Sequence, residues 1–390
     1  MANPTLTAVI PTLQQAANEI GRELVGFIPA CYSDKQATRA GYNQSVNYPI
    51  VPTLAAAAVT PSNVSSTGDV MTVTAGTIVM DNLRKVSWNF SGEQLQALET
   101  GDLPVRENIL SQIFKQAART LVNEIENSLW VAAYKGGSRA YGAATSTPFG
   151  TAGDFTDFSN IQRILNDNGA PMEDRHLVVG GAAMVNLQGK QSVLFKANEA
   201  GTDETLRKGV IGQVMGLDIH NSYPIAPVTA GTNSGGTTDN AGYAVGSTTF
   251  TLASAGTGTI LAGDILAITG DAAGNKYIVK TGDADVSNGG TFVINPPGVR
   301  GALSAATHAL TTTATYTPNI AFQRNALHLV MREPNPGDDG ATDTVTVVDE
   351  VSGLIFQLAR YGQYMQSSWE LRVLYGVKAV NSEFIATLIG

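Results

Sequence analysis

One helix sets the scale of any fold this chain can adopt. From Pro104 to Tyr134, Ile109, Ile113, Ala117, Leu121, Ile125 and Leu129 recur at helical spacing, and Phe114, Val122 and Trp130 widen the stripe. Asp102 and Pro104 supply start signals, and Gly136 with Gly137 supplies a stop. At its rise per residue the helix is about 45 Å long, well beyond the usual three turns. Such a rod is either a member of a helical bundle or a spine along which other elements pack. The extended and mixed segments around it favour the spine.

Ahead of the helix, Leu13, Ala17, Ile20 and Leu24 form an amphipathic stripe from Pro11 to about Phe27, ended by Gly26 and Pro29. It reads equally as a reaching arm or as a helix folded onto its own domain. Residues 43–90 turn extended. Val46, Tyr48 and Ile50 alternate, as do Val70, Thr72 and Thr74 and then Ile78 and Met80, with turn chemistry from Thr60 to Asp69 between them. Two extended arms with a polar tip are marginal alone and need a neighbouring surface. The tip, at Gly68 and Asp69, is the expected inter-subunit contact. Ser91 with Gln94 has the spacing of a capping box.

Beyond the helix the pattern is mixed. A helix is expected around Ile161–Leu165, a strand at Leu177–Gly181, a helix near Met184–Leu187, and a strand then turn from Gly216 to Ile225. A Gly-punctuated, β-rich insert runs from about Val228 to Thr317, its ends near Pro227 and Pro318 expected to lie close together. Strands at Ala326–Met331, Thr344–Asp349 and Glu370–Tyr375 then close the core.

Charged residues make up 15% of the 390, against roughly a quarter in average soluble domains. Scarce surface charge suits a subunit that buries much of itself against copies. The formal net charge of −9 excludes a general nucleic-acid binder, and an acidic wall is compatible with holding packed DNA without gripping it. Cys31 is the only cysteine, so no intrachain disulfide forms. The first residues lack the pattern of a signal peptide, and no apolar run spans a bilayer; a cytosolically made product without a membrane partner is expected.

Chemistry-bearing motifs are missing. The histidines, at 176, 220, 308 and 328, are each solitary along the chain, and no metal-ligand spacing, nucleophile elbow, phosphate loop or dinucleotide fingerprint occurs. Asp283 and Asp285 begin like a Ca²⁺ loop, but Asn288 stands where Gly is needed and Ile294 where Glu is needed. Asp338, Asp339 and Asp343 form a solvated loop or, less simply, a Ca²⁺ site. No catalytic, cofactor or metal residue is assigned, and no cofactor is expected.

The run Gly258–Asp264, GlyThrIleLeuAlaGlyAsp, followed by expected strands at Ile265–Ile268, Tyr277–Val279 and Phe292–Ile294, resembles the insertion domain of a coat-protein family from short-tailed Salmonella phages. Phe322–Pro334 looks like that family's return strand, and Ser352–Ile385 like its closing strands, with Ser382 where many relatives carry Pro.

The resemblance implies an α+β chain with the major capsid fold of tailed phages and herpesviruses, carrying an inserted β-barrel-like domain. Its parts would be an N-terminal arm (1–42), an extended loop (43–90), a peripheral domain with the spine helix (104–134) and the start of the axial domain (91–227), the insert (228–317) and the closing axial and peripheral segment (318–390). It implies a non-catalytic subunit of an icosahedral shell around double-stranded DNA, in the virion, assembled in the bacterial cytoplasm. Partners would be copies of itself in pentamers and hexamers, a scaffolding protein, a portal and a decoration protein. A secreted adhesin or S-layer-like protein is the alternative for a β-rich chain, and a hydrolase a third.

Overall fold

The computed structural model describes residues 26–50, 74–94, 96, 103–190, 212–271, 274–335, 340–349 and 352–390. In chain order, α1 (Phe27–Ala30) leads into β1 (Tyr32–Ala40), β2 (Ser45–Ile50), β3 (Thr74–Val79) and β4 (Asn82–Ser91). The long helix α2 (Leu103–Gly136) follows, then β5 (Arg139–Gly142), α3 (Thr156–Asp167), β6 (Arg175–Val179), α4 (Gly181–Gly189), β7 (Gln213–Val214) and β8 (Leu217–Asn221). The insert contributes β9 (Thr237–Thr238), β10 (Thr249–Ala253), β11 (Ile265–Ile268), β12 (Lys276–Thr281), β13 (Gly290–Ile294) and β14 (Leu310–Thr312). The chain closes with β15 (Pro318–Gln323), β16 (Leu327–Pro334), β17 (Asp343–Val348), β18 (Ile355–Gln363), β19 (Gln366–Ala379) and β20 (Ile385–Ile389).

Helix α2 is the spine of two sheets. In the first, β1, β16, β19, β18 and β17 lie in that order, and β4 pairs with β19. Alternation along β19 turns Trp369, Leu371, Val373 and Tyr375 toward the helix, where they share one core with Phe114, Leu121, Ile125 and Leu129. Among the described side chains full burial begins at Phe114, and Ile109, earlier in the same stripe, is 42% exposed.

The second sheet runs β7, β8, β6, β15, β20, β5 and continues into the insert through β12. Strands β6, β15 and β20 are buried at every residue, because both faces are covered. Ile320 and Phe322 point into the α2 core, while Ala321, Ala386 and Leu388 pack with Phe158, Ile161 and Leu165 of α3 and Leu187 of α4. The chain passes between the sheets through 3₁₀ turns at Arg324–Ala326 and Ser382–Phe384. The backbone N–H groups of Val380 and Asn381 both donate to the Ala326 carbonyl there, at 2.8 and 3.4 Å.

The insert has a core drawn entirely from its own residues, including Phe250, Leu252, Leu266, Tyr277, Phe292 and Ile294. It is fastened to the rest by Lys276 opposite Ala140 and Tyr277 opposite Arg139. Its ends meet: Val228 N–H donates to the Tyr316 carbonyl at 2.8 Å, and Tyr316 N–H returns the bond at 3.2 Å.

Two boundaries differ from the sequence reading. Residues 32–40, read as part of the arm, form edge strand β1, parallel to β16; its polar sequence carries no alternating apolar signal. Of the segment 43–90, only β2 and β3 pair as a hairpin among the described residues, while β4 runs along β19 for ten residues. Val86, Trp88 and Phe90 of β4 pack against the α2 core, with Trp88 edge-on to Phe114 at 5.5 Å. Residues 1–25, which hold most of the amphipathic stripe, lie outside the described residues, as do Asp338 and Asp339; Asp343 begins β17.

Candidate assembly interface

The root of the β2–β3 hairpin is pinned to the first sheet. Ile78 and Met80 pack with Ala40, Val330 and Leu374, and Lys378 donates to the Thr77 carbonyl at 2.8 Å with its ammonium over the Tyr48 ring. Gly376 allows the approach, since a Cβ there would lie 2.3 Å from the Val79 carbonyl oxygen. Val79, turned outward at this root, and Ile50, at the far end of β2, are 42% and 45% exposed, apolar groups left without cover on a single subunit. A groove of about 630 Å³ runs alongside, lined by Tyr32, Tyr48, Ile50 and His328. His328 packs against Tyr32, with ring centres 4.7 Å apart and planes tilted by 37°. Gly68 and Asp69 lie outside the described residues.

The first described residues, from Gly26, are held by a buried carboxylate that the sequence reading missed. Glu126, on α2, accepts the backbone N–H groups of Gly26 and Phe27, both at 2.6 Å, that of Ile28 at 3.0 Å, and the Ser222 hydroxyl at 2.7 Å. Burial pushes its carboxyl above the ordinary range, while these donors pull the other way. Cys31, just beyond, is sealed in the same core, and burial pushes its thiol up to about 12, so it is an inert packing group.

The neck of the insert is a second buried polar joint. Asp264, the last residue of the GlyThrIleLeuAlaGlyAsp turn, accepts Gly231 N–H at 3.0 Å and Leu261 N–H at 2.7 Å. Tyr316 donates to the Gly263 carbonyl beneath it. Asn295 donates to the carbonyls of Lys135 and Gly137, both at 2.8 Å, satisfying acceptors at the end of α2. Arg139 reaches Asn275 of the insert at 3.2 Å and, from the same guanidinium, Asp167 and Asn168 at the end of α3. Asp285, which opens like a Ca²⁺ loop, instead caps a 3₁₀ turn by accepting Ser287 N–H at 3.0 Å.

Two histidines that look solitary along the chain are brought together. Parallel pairing of β6 with β8 sets His176 Nδ1 3.1 Å from His220 Nε2, and the Arg324 guanidinium lies 3.3 Å from His176 Nε2. A separation of 44 residues hides that contact from any local pattern. Among the described residues, no group of three or more His, Cys, Asp or Glu side chains is placed to hold a metal ion. No helix among them is long and apolar enough to cross a membrane.

A spine helix shared by two sheets, a pinned hairpin and an inserted β-domain make up an α+β subunit whose fold is that of phage capsid proteins. The chain is similar over 94% of its length to the protein of the cyanophage P-SCSP1u capsid structure, with 88% of that chain covered, 11% identity and a TM-score of 0.51. It is also similar to a Mycobacterium phage Che8 structure, at 13% identity and a TM-score of 0.45, covering 89% of this chain and 84% of that one. No curated protein matches the sequence. Residues 62–295 match the family model described as P22 coat protein, gene protein 5, and the chain belongs to that family. It is a major capsid protein, a structural and non-enzymatic subunit of an icosahedral phage shell. The family match takes in the spine helix and most of the insert. The quoted return and closing segments, Phe322–Pro334 and Ser352–Ile385, lie beyond it.

Proposed function

We propose that this subunit assembles into pentamers and hexamers around double-stranded phage DNA. In this reading the N-terminal arm and the extended loop, with its tip at Gly68 and Asp69, reach onto neighbouring copies. The observation that carries it is the hairpin root: a rigidly held base with Ile50 and Val79 uncovered is costly on a free subunit and useful only against a second surface. Each contact of this kind is small, and many per subunit sum to a durable shell. The acidic net charge of −9 fits a wall that encloses DNA without sequence-specific binding.

The insert acts in this reading as an autonomous β-domain that supports subunit folding and bridges or decorates the capsomers. Its self-contained core and its paired ends support that role. A separate scaffolding protein guides assembly, and a portal and a decoration protein are the remaining partners. The test is expression with the phage's own assembly factors, followed by negative-stain microscopy. Closed uniform shells are expected. Persistently small particles refute the reading, and closed uniform shells from the chain alone refute the need for scaffolding.

A further inference from the structure

The His176–His220 pair bridges β6 and β8 of the second sheet, beside the turn that leads to the first. Arg324 belongs to the 3₁₀ turn that carries the chain from β15 to β16, and its backbone N–H is held by the Asp174 carbonyl at 3.0 Å, just ahead of β6. The His176 ring lies 6.1 Å from the Phe322 ring, which in turn stacks on Phe27 at 6.0 Å. The row therefore runs from the root of the N-terminal segment, through the second sheet, to β8.

The protons along this row follow from chemistry. An arginine guanidinium only donates, so His176 Nε2 accepts from Arg324. A neutral His176 then carries its proton on Nδ1 and donates to His220 Nε2. Both rings are neutral and every facing pair is a donor against an acceptor. A proton added to His220 at Nε2 would set two N–H groups face to face across 3.1 Å. A proton added to His176 at Nε2 would face the Arg324 N–H across 3.3 Å. Either one breaks a hydrogen bond and adds a like charge.

We infer that the Arg324–His176–His220 row is an acid-sensitive fastener of the β6–β8 seam of the second sheet, tied to the turn that leads into the first sheet, closed while both rings are neutral and opened by their protonation.

The opposing charges do not rescue the protonated form. Asp218 on β8 faces the pair, with its carboxylate 3.8 Å from His176 Nδ1, but its side chain is 45% exposed and that nitrogen already carries a proton. Asp174 acts on His176 more weakly still. The neighbouring Arg175 is turned away, donating to the carbonyls of Ala170 and Pro171. Burial, His220 and Arg324 together hold His176 down at about 4, and burial, then Arg324, also lowers His220 against the pull of Asp218. An opened seam binds a proton on His176 near the ordinary histidine value of 6.5, whereas the closed seam holds it off until about 4. The fastener is therefore at full strength above about pH 6.5 and is lost as the pH falls from there toward 4.

The experiment is hydrogen exchange by mass spectrometry on the unassembled full-length subunit, corrected for intrinsic rates, between pH 7.5 and 4.5. Opening of the seam formed by Arg175–Val179 and Leu217–Asn221 should rise on the order of a hundredfold across that range. Strands Thr249–Ala253 and Gly290–Ile294 of the insert, which hold no histidine, are the internal control. The double variant His176→Gln, His220→Gln keeps an accepting and donating row that cannot titrate, and its seam should respond to pH no more than the control. An equal acid response in variant and wild type overturns the inference. Should the variant fail to fold, ring-nitrogen NMR of the wild-type histidines decides. His176 still neutral with its proton on Nδ1 at pH 5.5 supports the row, and titration near 6.5 in the folded subunit overturns it. Because the measurement is made on free subunits, its failure would leave the shell reading untouched.

Discussion

Glu126 on the spine helix accepts the backbone N–H of Phe27 at 2.6 Å, from a site only 1% exposed. One carboxylate thereby satisfies the free N–H groups at the start of α1 and ties them to the middle of the longest helix. Gly26 makes this possible, since a Cβ on it would lie 2.9 Å from the Asn221 carbonyl oxygen.

Glu126→Ala should therefore do more than remove one contact. Three buried N–H groups and the Ser222 hydroxyl lose their acceptor, and each buried orphan costs about 1–3 kcal/mol. A loss of roughly 3 kcal/mol or more is expected, read by urea unfolding of the free subunit. Glu126→Gln retains one acceptor oxygen and should cost roughly half as much. An alanine variant as stable as wild type would show that the anchor is idle.

Gly376→Ala tests the hairpin root. The added methyl meets the Val79 carbonyl oxygen, a backbone atom that cannot swing aside, so β3 must lift from β19. A destabilisation of about 1–3 kcal/mol is expected. Limited proteolysis should cut faster within residues 43–81 of the variant. Unchanged cleavage would mean that the hairpin root is not held by this contact.

The spine helix and the insert strands were legible because each carries its own periodicity: Leu121, Ile125 and Leu129 repeat on one helical face, and Phe292 with Ile294 alternates in a strand. The capping box was legible too, and both of its bonds form, Gln94 N–H to Ser91 Oγ at 3.2 Å and Ser91 N–H to Gln94 Oε1 at 3.0 Å. Strand β1 was not, because Tyr32–Ala40 is an edge strand whose place depends on Arg332 of β16, which donates to the Asp34 carboxylate at 2.8 Å. Long-range polar joints escape a local reading for the same reason. Glu126 lies between Val122 and Trp130 on the apolar stripe, but its partners Gly26, Phe27 and Ser222 are about a hundred residues away in sequence, and His176 meets His220 only after two parallel strands have paired.

That Arg332–Asp34 pair supports its own prediction. Arg332 is nearly buried and also donates to the carbonyls of Asp34 and Met331. Asp34→Ala leaves this cation without its carboxylate, and a loss of about 2–4 kcal/mol is expected, with β1 exchanging its amides first. By contrast Lys85→Ala, which removes an ion pair to Glu370 from a lysine 61% exposed, should cost less than about 1 kcal/mol. Equal effects of the two changes in parallel denaturant melts would contradict the burial argument.

The insert provides the last test, since its independence and its attachment rest on different residues. Its core is internal, so residues 228–317 excised from the chain should give a β-type circular dichroism spectrum and a cooperative melt. Asp264→Ala should lower that melt, because the neck N–H groups of Gly231 and Leu261 lose a buried acceptor, at a cost of about 2 kcal/mol. Asn295→Ala should leave the excised domain nearly unchanged, because its partners, the carbonyls of Lys135 and Gly137, belong to the spine helix end. In the full-length subunit the same change should cost about 1–3 kcal/mol. A disordered fragment would end the claim of autonomy, and an Asn295 variant that weakens the fragment as much as the full chain would end the separation of core from anchor.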